Sequence, residues 1–131
     1  MSNYTSKLND YLYRQYDLEE GSPDDNVNAL FDEDLKYHLT DGKMGSREML
    51  AKGAAIIRQT PKSERIVEAS NIVEKDNELS FHLYIRYRDP KTGELEEMHN
   101  DSVWMFNGNG KVTEVNPGQR EQVARFFDDL S

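Results

Sequence analysis

Residues 98–115, MHNDSVWMFNGNGKVTEV, decide how the rest of the chain is read, because an alternating run, a glycine turn and a second run follow one another there. Successive side chains of a strand point to opposite faces. Met98, Asn100, Ser102, Trp104 and Phe106 therefore share one face, and His99, Asp101, Val103 and Met105 share the other. Asn107-Gly108-Asn109-Gly110 reverses the chain into Lys111–Val115, the pattern of a β-hairpin. Both faces carry apolar weight near the turn, which calls for a sheet covered on its second side as well.

The same period of two extends toward the N-terminus. Arg65–Lys75, Glu78–Arg88 and Glu94–Phe106 read as strands, separated by Asp76-Asn77 and by Asp89-Pro90-Lys91-Thr92-Gly93. Connections this short make consecutive strands antiparallel neighbours. Upstream the period changes to that of a helix. Tyr4, Leu8, Tyr11, Leu12 and Tyr16 form a stripe that ends near Glu19-Glu20-Gly21, and the inward face of this first helix is rich in phenols. Ser22-Pro23-Asp24-Asp25 supplies a cap hydroxyl, a proline at the first helical position and an acid three past the cap, predicting a short second helix that carries Val27, Leu30 and Phe31. Leu35–Thr40 alternates as a strand up to the Asp41-Gly42 turn. Ser46 caps a third helix with an apolar face of Met49, Leu50, Gly53, Ala54, Ile56 and Ile57, closed by Pro61. Past the meander, Asn116-Pro117-Gly118-Gln119 predicts the start of a terminal helix with Val123, Phe126, Phe127 and Leu130 inward.

Composition narrows the function. A chain of 131 residues makes one domain, with no repeat, low-complexity tract or dividing linker. With 25 acidic against 16 basic side chains the formal charge is −9, which repels phosphate backbones and anionic lipid heads. Nucleic acid and membrane surfaces are excluded as expected partners, although Arg86, Arg88 and Lys91 cluster at one strand end. The absence of cysteine removes disulfides, thiolate catalysis and sulfur-ligated zinc. No signal-peptide core and no window of about 20 apolar residues is present, so a cytoplasmic protein is expected.

The order of two helices, a short strand, a helix and a curved antiparallel meander resembles the nuclear transport factor 2-like (NTF2-like) superfamily, in its SnoaL-like and ketosteroid isomerase-like branch. Three stretches carry the likeness. Asn28–Leu35 resembles the family's "aLFaeDv" helix-to-strand junction, Gly45–Leu50 its "G-x-x-x-ϕ" start of helix three, and Trp104–Val112 its "F-x-x-x-G-K-I" hairpin. Together with the order of elements they cover about residues 3–115, and the helix at about 117–130 lies outside the common core. The resemblance implies an α+β domain over 1–131: a half-cone sheet with N-terminal helices on its concave face, a cystatin-like or NTF2-like architecture, plus an added C-terminal helix. It also implies a mostly apolar pocket between sheet and helices. Tyr37 and Leu39, then Phe81, Leu83, Ile85 and Tyr87, then Asn100, Ser102, Trp104 and Phe106 would face that pocket. His82, Tyr84, Arg86, His99, Asp101, Val103 and Met105 would form the outer face, which suits a homodimer.

Isomerases of that family place a carboxylate base on the first strand and an acid in an oxyanion hole. By resemblance those positions fall on Leu39 and Ser102, neither of which can play the part. A one-residue bulge would bring His38 and Asp101 inward instead. His38 is read either as a general base near the pocket mouth, oriented by Asp32, Asp34 or Asp41, or as an outward strand histidine. His82 and His99 are expected on the outer face, and no histidine pair has metal-site spacing. On the first helix Tyr13 or Tyr16 is expected to reach the ligand. Trp104 is expected either to stack on a ligand or to serve as a core residue. Asn100 and Ser102 need polar partners across the cavity or on a ligand.

Three functions follow as expectations. The first is a binding protein for a small hydrophobic or cyclic molecule, with Tyr16, Tyr37, Phe81, Tyr87, Asn100, Ser102 and Trp104 at the ligand and no cofactor or metal. The second is an isomerase, cyclase or hydratase acting on a cyclic or polyketide-like substrate through His38 or Asp101. The third is a protein-interaction module.

Overall fold

Every second residue from Met98 to Phe106 is buried, and this alternation organises the sheet around one long strand, β5 (Leu95–Phe106). The computed structural model describes residues 3–129 and shows a six-stranded mixed sheet, curved and unclosed. Its other strands are β1 (Phe31–His38), β2 (Met44–Gly45), β3 (Ile66–Lys75), β4 (Glu78–Arg88) and β6 (Val112–Pro117), in the order β2-β1-β6-β5-β4-β3. β3 to β6 pair as antiparallel neighbours, as their short connections require. β4 and β5 keep unbroken register from Glu78 opposite Met105 to Arg88 opposite Leu95.

Three register shifts interrupt the sheet, one of them in the β1–β6 pairing between Phe31 and Lys36. In β3 the register shifts between Ser70 and Val73, where Asn71 takes a φ of 52°. Between β5 and β6, Met105 faces Glu114 and Phe106 faces Val112, so Thr113 is the extra residue. Such bulges raise the local twist and curl a sheet into a cup. β6 also pairs with β1 in parallel, with Tyr37 opposite Val115. No local pattern announced that pairing, because its partners lie far apart in the chain.

Among the described residues four α-helices fill the cup: α1 (Tyr4–Leu12), α2 (Pro23–Leu30), α3 (Arg47–Gln59) and α4 (Arg120–Asp129). Two N-caps are those the sequence predicts. Ser22 Oγ accepts from the Asp25 amide at 3.1 Å and Ser46 Oγ from the Met49 amide at 3.2 Å, satisfying amides that a helix start leaves unpaired. Leu8, Val27, Ile57 and Val123 meet the sheet in the core, each such burial contributing about 1.5–3 kcal/mol. No described helix is long and apolar enough to cross a membrane.

Some expected boundaries move. Phe31 opens β1 instead of closing the second helix, and β1 begins four residues before Leu35. Asp34 N donates to Asp32 Oδ1 at 2.9 Å, a local turn that breaks the alternation and hides the strand's start. Pro117 is the last residue of β6, opposite Ser102, and α4 starts only at Arg120. Gln119, expected to close a capping box, instead spends its side-chain oxygen on the Asp101 amide at 2.6 Å. Leu130 lies outside the described residues.

Candidate functional site

α1 runs on beyond Leu12 as a π-helix, Tyr13–Leu18, which ends where Glu19 turns left-handed at φ 51°. The wider π turn brings residues five apart onto one face. Tyr11 and Tyr16 therefore both look inward, while Tyr13 is 53 % exposed. Tyr11 and Tyr16 keep the inward stripe their spacing predicts, and of the two tyrosines expected at the ligand this register retains Tyr16 and excludes Tyr13.

These phenols line one wall of a cavity with about 80 Å³ of free volume between the concave face of the sheet and the helices. Leu8 and Leu12 of α1, Leu50, Ala54 and Ile57 of α3, and Val123, Phe126 and Phe127 of α4 line the rest of the helical side. The sheet contributes Phe31, Tyr37, Phe81, Leu83, Ile85, Met98, Asn100, Ser102 and Trp104. No Asp, Glu, Lys, Arg or His is among the lining residues.

Trp104 sits at the centre, 7 % exposed, with Phe81 and Phe31 packed edge-on at 5.0 Å and 5.2 Å and Tyr11 at 6.5 Å. It is thus a core residue and a cavity residue at once. Its indole N–H has no hydrogen-bond partner among the described residues, nor have the hydroxyls of Tyr37 and Ser102 or the amide NH₂ of Asn100, whose Oδ1 accepts from the Gln119 backbone at 3.2 Å. No polar side-chain atom is sealed in the packing without a partner among the described residues. The unpaired groups of these buried residues therefore border free space. Burial pushes the phenols of Tyr16 and Tyr37 well above their usual range, with the neighbouring Tyr11 phenol adding to the rise, and burial raises Tyr11 itself. All three stay protonated near neutral pH and act as neutral hydrogen-bonding groups.

A buried polar lattice fixes the wall behind Tyr16. Gln15, fully buried, accepts from Arg58 Nη2 at 2.7 Å and from Asn26 Nδ2 at 3.0 Å, and Arg58 Nε donates to the Gln15 carbonyl at 2.7 Å. Arg65 is 9 % exposed and donates to the carbonyls of Tyr16 at 2.6 Å and Arg58 at 3.1 Å, with Glu19 paired at 3.0 Å. One guanidinium thus ties the end of the π-helix to the carbonyl end of α3, where a cation is favoured. No local pattern foretells this convergence, because its members lie far apart in the chain.

Both candidate acid–base residues face away from the cavity. His38 lies across β1 from the lining face, with Nε2 2.6 Å from Glu114 Oε2. Glu114, not Asp32, Asp34 or Asp41, is its partner, and the two sit beside a surface groove bordered by the Thr40–Met44 turn and α4. Asp101 is exposed, its Oδ1 2.8 Å from His82 Nδ1, and these contacts with His82 and Gln119 hold its carboxyl below the usual range. No bulge occurs at either position, so neither side chain turns inward. Tyr87 is buried on the lining face of β4 but packs on Phe126 at 5.1 Å, outside the free volume. The other expected ligand residues, Tyr16, Tyr37, Phe81, Asn100, Ser102 and Trp104, all lie on its wall. Among the described residues no three His, Asp or Glu side chains converge as a metal site would require.

No protein-family model matches the sequence, and no curated protein matches it. Solved structures do. A SnoaL-like polyketide cyclase of Agrobacterium tumefaciens superposes with a TM-score of 0.65 at 17 % identity, covering 95 % of this chain and 98 % of that one. An NTF2-like protein of Exiguobacterium superposes at 0.59 and 12 % identity, over 85 % of this chain and 95 % of its own. The chain has the NTF2-like fold. A cystatin-fold protein of Novosphingobium aromaticivorans, at 0.65 and 16 % identity over 89 % and 97 % of the two chains, has the same architecture. In NTF2-like terms the cavity lies in the cup of the sheet.

Proposed function

We propose that this protein binds a small, uncharged, largely apolar molecule in the cup of its sheet and carries out no acid–base chemistry on it. The observation that carries this reading is the composition of the cavity wall. It is aromatic and aliphatic, with Asn100, Ser102, Tyr37 and the Trp104 indole as its unpaired polar groups and no side chain ionised at neutral pH. Apolar walls with a few convergent polar groups are what a small-molecule site needs. His38 and Asp101, the bases a catalytic reading would use, lie outside and are engaged by Glu114 and His82. Some proteins of the same fold are named polyketide cyclases, which agrees with a cyclic ligand.

The test is saturation-transfer NMR with a panel of uncharged cyclic ketones, phenols and lactones against the wild type and the Trp104→Phe, His38→Gln and Asp101→Asn variants. Compounds that bind should compete with one another, weaken in Trp104→Phe, and bind His38→Gln and Asp101→Asn as they bind the wild type. A compound converted to product, with turnover lost in His38→Gln, would replace binding by catalysis.

A further inference from the structure

The free volume of about 80 Å³ is roughly half the ~150 Å³ of an apolar cavity that takes benzene, and far below the ~300–1,000 Å³ of sites for drug-sized ligands. A multi-ring molecule does not fit. The curved sheet and α3 do not by themselves impose that limit, because α4 closes the remaining side with two phenyl rings. Phe127 lies edge-on to Tyr37 at 5.7 Å, and Phe126 packs against Phe127 at 5.5 Å. Both seat against α3 at Gly53, where a Cβ would stand 3.0 Å from Phe126 and 3.6 Å from Phe127. The missing side chain lets the rings sink to the floor of the cup.

The anchorage of α4 is separate from these rings. Gln119 Oε1 accepts from the Asp101 amide at 2.6 Å and Gln122 Oε1 from the His99 amide at 3.0 Å, fastening the first turn to β5. Val123 is buried beside them. Trimming one ring therefore leaves the helix attached and opens space beneath it.

We propose that Phe126 and Phe127 of α4 set the size limit of the cavity, so that its ligand is an uncharged molecule of one ring or less carrying a hydrogen-bond acceptor. This rests on the binding reading above and adds the ligand's dimensions and polarity. The acceptor follows from the unpaired donors at the wall, the Trp104 N–H, the Asn100 NH₂ and the Tyr37 and Ser102 hydroxyls, since a buried donor left unmatched is disfavoured. Neutrality follows because no wall residue offers a counter-charge to an ion taken out of water.

The test measures the affinity of cyclopentanone, and of 1-indanone with its fused second ring, by calorimetry and saturation-transfer NMR. Proteins compared are the wild type, Phe127→Ala and Phe127→Leu, each checked for a cooperative thermal transition. The leucine variant serves if the alanine variant does not fold. Wild type should bind cyclopentanone and prefer it to indanone by about tenfold or more, and Phe127→Ala should erase that preference, a change of ~1.4 kcal/mol or more. Equal affinities in the wild type, or an indanone affinity untouched in both variants while cyclopentanone binds, would overturn the size limit and leave the binding reading intact. No binding of either ketone to any of the proteins would bring down the binding reading, and the size limit with it.

Discussion

Alkaline pH should unfold this protein through its buried phenols, and Tyr37→Phe isolates the effect. Burial holds Tyr16 and Tyr37 neutral beyond their usual 10.0 in the folded chain, whereas in the unfolded chain both ionise near that value. A phenol whose folded pKa is raised contributes stability that is fully present below the unfolded pKa and is lost as pH rises above it. At about pH 11 the Tyr37 phenol alone withdraws ~1.4 kcal/mol and at about pH 12 ~2.7 kcal/mol, with Tyr16 and Tyr11 acting in the same direction. Against a domain stability of about 5–15 kcal/mol that single phenol is already a substantial share. Tyr37→Phe deletes the Tyr37 contribution and leaves every other titrating group in place. Urea denaturation followed by circular dichroism, at half-unit steps from about pH 9 to pH 12, should show the variant gaining on the wild type by ~1.4 kcal/mol per pH unit above 10. A stability difference that stays constant across that range would refute the claim that the Tyr37 hydroxyl is enclosed and neutral.

Arg65→Met should lower stability by ~1–3 kcal/mol, because it leaves unmatched the carbonyls of Tyr16 and Arg58 that the guanidinium now satisfies; chemical denaturation showing no measurable loss would contradict that role. The depressed carboxyl of Asp101 contributes stability above its usual 3.8 that disappears as pH falls through its folded value. Asp101→Asn should therefore flatten the acid limb of a melting-temperature profile, and an unchanged limb would show the His82 contact to be idle. The outer face of β4 and β5, proposed as a contact between two copies, leaves Val103 and Met105 half-buried in the single chain. Sedimentation should find a wild-type dimer that Val103→Asp with Met105→Asp dissociates, and a wild type already monomeric rules the contact out.

Much of the cavity was legible because one physical rule governs it. Along β4 and β5 every second residue faces the cup, and β4 begins and ends at Glu78 and Arg88 as its alternation predicts. The same rule put Asn100, Ser102 and Trp104 inside and Asp101 outside. Reading failed where a local hydrogen bond competes with the regular pattern. The Asp32–Asp34 turn masks the start of β1, and of the two tyrosines expected at the ligand the π-helix keeps Tyr16 inside and leaves Tyr13 exposed. It failed again where groups distant in sequence converge, as Gln15, Arg58 and Arg65 do, or β1 and β6. The terminal helix showed its apolar stripe but not its seat, which depends on Gly53 of α3 and on the glutamine contacts with β5.

Those glutamines have an effect beyond fastening. β6 covers only the half of β5 from Ser102 to Phe106, and the preceding amides of His99 and Asp101 would otherwise await a further strand. Carboxamide groups from α4 fill that vacancy, as a coping stone finishes a wall. The main chain is released from continuing the ladder and can double back across the cup. An exposed border that invites foreign strands to add on is blunted by the same stroke. Edge-to-edge growth through this half of β5 is thereby closed off.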